Sequence, residues 1–444
     1  MPSARNAPLD KVRVLQRKLY RAAKTNPKRK FGVLYDKVCR DDVLRRAYTL
    51  VRLNRGASGI DDMTFERIEK EIGLDLFLDD VREQLVSKRY KPQPVRRVYI
   101  PKADGKQRPL GIPVIADRVV QAAAKIVLEP IFEADFKDFS YGFRPRKNAH
   151  QALREIYKWL NFGCHYVIDA DIKSYFDTIS HDKLLQSVRS RVIDRAVVKL
   201  LKMWLKTGVM EDMQVRAAVT GTPQGGVISP LLANLYLNWL DRYWESKGFG
   251  KRPHDAHIVR YADDFVILCS QRPEFYLGEA RKVVDRLGLA LNGEKTRLVN
   301  AAKEPFDFLG HRFMRKPSKR TGKVQTYYYP SPKAMTSIRR RIHAVTRRGQ
   351  HRNLPELIKE RVNPLLRGWG HYFATGNSWM HFNRVDNYAT CALAIMLRKK
   401  HKKPGKGWRD HPPSWFYDLH GLLQLSKLVA AKHPETRYAK QVPS

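Results

Sequence analysis

HIVRYADDFVILC, residues 257–269, is an apolar run broken at its centre by Tyr261, Ala262, Asp263 and Asp264. Ile258 and Val259 before the break and Phe265 to Leu268 after it are rich in β-formers, so the stretch predicts strand, tight turn, strand. Two carboxylates then stand side by side on a turn. Adjacent like charges repel, and between buried strands they require a cation or strong donors in answer. Asp is also a favoured turn residue, so an Asp-rich hairpin turn with no ligand is the competing interpretation that the rest of the chain has to decide.

The charge narrows the choice. Among 444 residues, 84 Lys and Arg stand against 44 Asp and Glu, a formal +40. Such an excess repels itself unless a polyanion is present, and nucleic acid is the commonest. A hydrophobic content of 43% excludes wholesale disorder, and 18 Phe, 20 Tyr and 8 Trp set the chain apart from small basic structural proteins. The length allows two or three domains. Cysteines 39, 164, 269 and 391 form no CxxC pair, which argues against a zinc module or a disulfide framework and suits a reducing compartment. No apolar run reaches the roughly 18 to 20 residues of a membrane span, and no apolar segment follows the basic start as in a signal peptide. A cytoplasmic protein that meets no membrane is expected.

Along the chain, Val12, Leu15, Leu19 and Ala22 recur at helical spacing, Asp42 to Leu53 predicts a second helix, and a third starts near Thr64, so residues 1–82 form a basic helical lead-in. VRRVYIPKADGKQRPLGIP, from Val95 to Pro113, predicts two strands turning at Asp104 and Gly105, with Lys102 and Arg108 on either side of the turn, where both can bracket one anionic ligand such as a triphosphate. A helix over Asp117–Phe136 leads to SYGFRPRKNAHQAL, whose Arg144, Arg146 and Lys147 lie beside Tyr141 and Phe143, an interleaving suited to gripping a nucleic-acid strand. HYVIDADIKSYFDTI is a strand entering a turn. Alternation puts Asp169 and Asp171 on one face and leaves open which is the ligand.

GTPQGGVISPLLANL joins a Gly/Pro loop carrying Gln224 to a helix starting near Ser229 and Pro230, an N-cap and first-turn pair. LGLALNGEKTRLV predicts a helix end, a loop and a strand carrying Lys295, and FDFLGHRF one more strand. After a Tyr-rich basic hairpin over 315–330 the period turns helical: a helix capped by Ser331 and closed by Gly349, a helical stretch broken at Asn363 and Pro364, and a helix through Phe382, Val385, Ala389 and Leu393. Arg339, Arg340, Arg341, Arg347 and Arg348 load the outer face of this module, where RNA is the expected partner. If the strands bearing the aspartates are neighbours, their carboxylates can hold magnesium, which takes oxygen ligands and assists phosphoryl transfer in pairs. A nucleotidyl transferase acting on nucleic acid is the resulting expectation.

The blocks IPKADGKQRPLGIP, SYGFRPRKNAHQAL, DADIKSYFD, GTPQGGVISPLLANL, YADD, LNGEKT, FLG and RGWGHYF stand in the order found in group II intron reverse transcriptases and maturases, which the chain resembles over nearly its whole length. The resemblance implies an α+β right-hand polymerase: a basic helical extension of the fingers (1–82), fingers and palm with antiparallel sheet (83–313), an α-helical thumb that is also the maturase domain (314–400) and a short basic DNA-binding tail (401–444). It implies that Asp171 rather than Asp169, with Asp263 and Asp264, holds two Mg2+ ions, Mn2+ being able to substitute. Lys102, Arg108 and Lys295 resemble the residues at the incoming triphosphate, Gln224 the contact to nucleotide and template, and Phe176 the bulky gate against a 2′-hydroxyl. The implied partners are intron RNA, an RNA template with a DNA primer, target DNA and deoxynucleoside triphosphates. Unlike many relatives, the sequence shows no Cys pairs or His cluster of an HNH endonuclease, which puts second-strand cleavage in doubt. A host-adopted relative in phage defence or repair, and a splicing-only RNA-binding maturase, are the alternatives.

Overall fold

The basic hairpin is realised as β1 (Val95–Pro101) and β2 (Gln107–Ile112), antiparallel from Arg96 opposite Ile112 to Pro101 opposite Gln107. This computed structural model describes residues 10–101, 107–207, 209–211, 214–216, 225–318, 321–347, 352–402 and 409–432. Along the chain follow β3 (Tyr166–Ala170), β4 (Val209–Glu211), β5 (Gln214–Arg216), β6 (Ala256–Tyr261), β7 (Asp264–Cys269), β8 (Arg297–Asn300), β9 (Phe306–Phe308), β10 (His311–Pro317) and β11 (Val324–Pro330). The chain divides into two compact units, Met1–Ala152 with Ile168–Arg297, and Leu153–Val167 with Leu298–Ser444.

In the first unit, β2-β1-β4-β5 form one sheet, with β1 parallel to β4, and β6 and β7 pair beside the end of β3 in another. The helices Ile115–Glu133 and Ser229–Ser246 are apolar nearly all round, and that composition makes them central: Val119, Val120, Ala123, Val127 and Leu128 of the first, and Tyr236, Leu237, Leu240 and Trp244 of the second, are sealed from solvent. Helix Lys11–Thr25 packs on Ile115–Glu133 through Val12, Leu15, Leu19 and Ala23, each apolar side chain so buried being worth roughly 1.5–3 kcal/mol for a Val or Leu. Asp10 caps it by accepting hydrogen bonds from the Val12 and Arg13 amides. Thr64 caps the helix expected near it. Ser229 does not serve as N-cap. Ile228 holds that position, and Ser229 and Pro230 form the first turn, where proline loses no hydrogen bond.

In the second unit, β11-β10-β9 form an antiparallel sheet. FDFLGHRF is therefore two strands rather than one. Leu309 and Gly310, both at positive φ, turn the chain so that His311 faces Phe308. Phe306, Phe313 and Tyr328 stack across the three strands with ring centroids 5.1 and 5.3 Å apart. Ser331 caps the helix Pro332–Val345 through the Ala334 amide, as its position predicts, while Gly349 lies outside the described residues. At Asn363 and Pro364 the helix is not interrupted. A π-turn, Ile358–Val362, runs into the helix Asn363–Phe373 with Pro364 in its first turn.

Met335, Ile338, Ile342, Val362, Leu366, Phe382, Val385, Ala389 and Leu393 build one core with Phe416, Leu422 and Leu425, so part of the segment beyond residue 400 packs inside this helical unit. Asp386, on the helix Trp379–Lys400, accepts hydrogen bonds from the Leu425 and Ser426 amides at 2.8 and 2.9 Å. It thereby caps the helix Leu425–Lys432 from outside that helix, and burial pushes its carboxyl pKa up. Among the described residues no helix is long and apolar enough to cross a membrane.

Candidate active site

Tyr261 of β6 pairs with Asp264 of β7, so Ala262 and Asp263 make a two-residue turn and the hairpin forms where the sequence places it. β7 is the neighbour of β3, and Asp171 directly follows the last residue of β3. The condition for bringing the three carboxylates together, neighbouring strands, is thus met. Beyond β3 the chain stays anchored: Ile172 bridges Leu291, the Lys173 amide donates to the Ala290 carbonyl, and the Asn292 amide donates to the Asp171 carbonyl at 2.7 Å. The Asp171 carboxylate accepts from Asn292 Nδ2 at 3.1 Å and from Lys295 Nζ at 3.2 Å. Lys295 stands in the loop before β8, not on a strand, and its ammonium lies where a cation would answer Asp171. With the lysine side chain 66% exposed, the pair is worth no more than about 1 kcal/mol and is easily exchanged.

Beneath the turn lies a polar network sealed from solvent. Arg260, with no exposed surface, forms a two-pronged ion pair with Asp241, and its Nη1 donates to Asn234 Oδ1 at 3.0 Å and to the Ala262 carbonyl at 2.9 Å. Asn234 Nδ2 donates to the Gly142 carbonyl at 2.7 Å. The Tyr141 amide donates to the Arg260 carbonyl and the Arg260 amide to the Phe139 carbonyl, which ties residues 139–142 alongside β6. Gly142 is there for space: a Cβ would sit 2.3 Å from the Ala262 nitrogen. Ala262 itself has φ +58°, a left-handed conformation uncommon outside glycine, asparagine and aspartate.

Tyr175 is buried and donates to the Ala233 carbonyl at 2.6 Å; burial above all, with Asp263 nearby, raises its pKa far beyond the ordinary phenol value. Phe176, half-buried, packs edge-on against Tyr175 and remains the ring able to face a ligand. Gly225, at φ +118°, brings the end of the Gly/Pro loop against β2, where a Cβ would meet the Gly111 carbonyl at 2.2 Å. Lys102, Gln224 and Arg348 lie outside the described residues, as does the side chain of Arg108. Of the cations expected to grip RNA, Arg144 is instead committed internally. It pairs with Glu133 at 2.7 and 3.0 Å, donates to the Lys137 and Ser140 carbonyls and lies over the Phe136 ring. Lys147 likewise meets Asp138 and the Tyr141 ring. Arg146 is exposed. In the second unit Arg339, Arg340, Arg341 and Arg347 are exposed and carry no ion pair among the described residues.

Residues 100–313 match the family described as reverse transcriptase (RNA-dependent DNA polymerase), and residues 335–412 match the group II intron maturase-specific domain. Protein YkfC of Escherichia coli is 36% identical over 342 residues, covering 69% of this chain and 89% of that protein. The chain belongs to the group II intron reverse transcriptase and maturase family. The group II intron-encoded protein LtrA of Lactococcus lactis is 39% identical over 216 residues, 48% of this chain but 35% of LtrA. An uncharacterized 91 kDa protein in the cob intron of Schizosaccharomyces pombe is 36% identical over 208 residues, 46% of this chain and 25% of that protein. The matched segments thus span about a third or less of these two longer relatives. As a family member the chain is an RNA-directed DNA polymerase with a maturase-specific domain acting in intron splicing and mobility, and its substrates are nucleic acids.

Reverse transcriptases use divalent metal ions, and carboxylates are the donor class such ions take. Three carboxylates offer hard oxygen donors from neighbouring strands, and an ammonium already answers Asp171. Sequence reasoning missed Arg260, Asp241, Asn234 and Gly142. A signal was present. Arg260 interrupts an apolar strand, and an arginine there must find an anion inside the fold.

Proposed function

We propose that Asp171, Asp263 and Asp264 hold two Mg2+ ions, replaceable by Mn2+, and that the chain copies intron RNA into cDNA from an RNA template with a DNA primer. The observation that carries this reading is the adjacency of β3 and β7, whose ends bear the three carboxylates, with Asp171 paired to the readily displaced ammonium of Lys295. Ions bound there would stabilise the attacking and leaving oxygens of nucleotidyl transfer. Lys295, released from Asp171, would turn to the triphosphate of the incoming deoxynucleotide together with Lys102 and Arg108, and Gln224 would contact nucleotide and template. Phe176 would stand beneath the sugar and exclude a 2′-hydroxyl.

The chain is read as a right hand: fingers extension 1–82, fingers and palm 83–313, thumb and maturase domain 314–400, and a tail, 401–444, that meets target DNA. Arg339, Arg340, Arg341, Arg347 and Arg348, with Arg146, would hold intron RNA through its phosphates while the RNA supplies the splicing chemistry.

The test is a pair of assays on two variants, splicing of a precursor RNA at low magnesium and extension of a pre-annealed primer. The double variant Asp263→Asn with Asp264→Asn should lose extension and keep splicing. Neutralising the five arginines 339–341, 347 and 348 should weaken splicing far more than extension. Proportional loss of both activities in both variants would refute the division of labour, and near-normal extension by the aspartate variant would refute the metal ligands.

A further inference from the structure

Two facts about Ala262 belong together. It is a non-glycine residue in a left-handed conformation at the turn that carries Asp263, and its carbonyl is held by a guanidinium with no exposed surface. A residue in a sparsely populated conformation persists when its surroundings over-determine it, and such residues gather where geometry is used. Here the surroundings grip from two sides. From below, Arg260 is fixed by the two oxygens of Asp241 and by Asn234, so its fork has one orientation, and one prong ends on Ala262. From the side, the backbone of Gly142 abuts the Ala262 nitrogen so closely that no side chain fits between them, and Asn234 holds the Gly142 carbonyl. Asn234 thus joins both grips. Asp241 lies seven residues further along the helix Ser229–Ser246, two turns away on the same face.

A buried ion pair is weak evidence of stability, because desolvation consumes most of its attraction, and apolar replacements of similar volume often serve a fold equally well. What an apolar pair cannot supply is a directed donor to a turn carbonyl.

We infer that Arg260, held by Asp241 and Asn234, is a positioning residue that fixes Ala262 in its left-handed conformation at the turn and so sets the placement of Asp263 and Asp264 for metal binding and catalysis. The inference rests on the proposed role of those two aspartates. Arg260 touches neither substrate nor metal in this scheme and acts through the turn alone. A lysine in its place would keep the charge opposite Asp241 but lose the fork that reaches Asn234 and Ala262 together.

The experiment compares Arg260→Lys and Asn234→Ala with the parent chain by three measurements. Amide hydrogen exchange over 261–265 reads the turn itself. Mn2+ affinity, read by electron paramagnetic resonance in a complex with RNA template, dideoxy-terminated primer and deoxynucleotide, reads the carboxylates without turnover. Steady-state extension separates kcat from KM. Both variants should exchange at the turn at least tenfold faster, bind Mn2+ about fivefold to tenfold more weakly and lose a similar factor in kcat, with KM for the deoxynucleotide and primer–template affinity near the parent's.

A network that serves stability alone would lower Tm and leave these three readings within twofold, and that result overturns the inference. Should Arg260→Lys fail to fold, Asn234→Ala, which keeps the ion pair, decides by the same criteria. A parent that binds no Mn2+ in the complex would refute the metal-ligand assignment, while the exchange data would still test the grip on the turn.

Discussion

Gly142→Ala tests how far the polymerase depends on one backbone contact. Glycine 142 needs no unusual φ, so alanine is excluded by space alone. Its Cβ would lie 2.3 Å from the Ala262 nitrogen and 2.9 Å from the Tyr261 carbonyl carbon, where real contacts begin between 3.0 and 3.4 Å. The two backbones must therefore part by about 0.7–1.1 Å, and β6 is not free to give because the same segment is bonded to Arg260 on both sides. The compliant element is the turn carrying Asp263. A displacement of about 1 Å at a reacting constellation costs roughly a hundredfold in rate, or about 2.7 kcal/mol on the barrier. Overpacking costs fold stability about 1–3 kcal/mol, a shift of a few degrees in Tm for a chain this size. Single-nucleotide extension on an RNA template, well below Tm, should show kcat reduced about a hundredfold with primer–template affinity retained. A kcat within threefold of the parent would mean that the strain is absorbed away from the turn and the reasoning fails.

Shrinking Phe176 to Val should raise ribonucleotide incorporation at least tenfold relative to deoxynucleotide; because Tyr175 is buried with its hydroxyl bonded to Ala233, unchanged discrimination would place the gate on another element. Replacing Arg339, Arg340 and Arg341 by Gln should reduce the slope of log affinity for intron RNA against log salt by about 2 to 3, at roughly 0.7–0.9 for each phosphate no longer neutralised, and an unchanged slope would show these cations to be merely solvated. Burial raises the Asp117 carboxyl from 3.8 to about 6, against hydrogen bonds from Tyr90 and Gln93 that stabilise the charged form. The unfolded chain thus loses this proton before the folded one, so the contribution to stability is full below pH 3.8 and is lost as pH rises to about 6, a change of up to about 3 kcal/mol. Asp117→Asn cannot ionise, and Tm of the parent should fall relative to the variant between about pH 4 and 6; parallel profiles would contradict the shift.

The sequence revealed what local pattern controls. A run of β-formers located β6 and β7, and helical spacing located Lys11–Thr25 and Pro332–Val345. It misjudged features whose local pattern has two physical outcomes. Cations interleaved with aromatics read alike whether they face RNA or, like Arg144, satisfy Glu133 and two carbonyls inside the fold. Lys295 falls in the loop two residues before β8 rather than on the expected strand, because element boundaries depend on tertiary pairing such as that of Ile172 with Leu291. Arg260 announced a buried anion but not which one: its partners Gly142, Asn234 and Asp241 lie 19 to 118 positions away, and only the packed helix Ser229–Ser246 brings Asn234 and Asp241 under the hairpin.

The cap that Asp386 places on the helix Leu425–Lys432 carries a practical warning about dissecting this protein. The maturase-specific match ends at residue 412, an inviting place to cut. A chain severed there would strip away Phe416, Leu422 and Leu425, baring the apolar core they cover, and would leave the Asp386 carboxylate without the two amides that answer it. Each apolar side chain so uncovered removes roughly 1.5–3 kcal/mol of burial, a large share of what holds a domain together. The limit of sequence kinship and the limit of cooperative folding therefore differ here, and a fragment intended to isolate splicing activity should extend through residue 432.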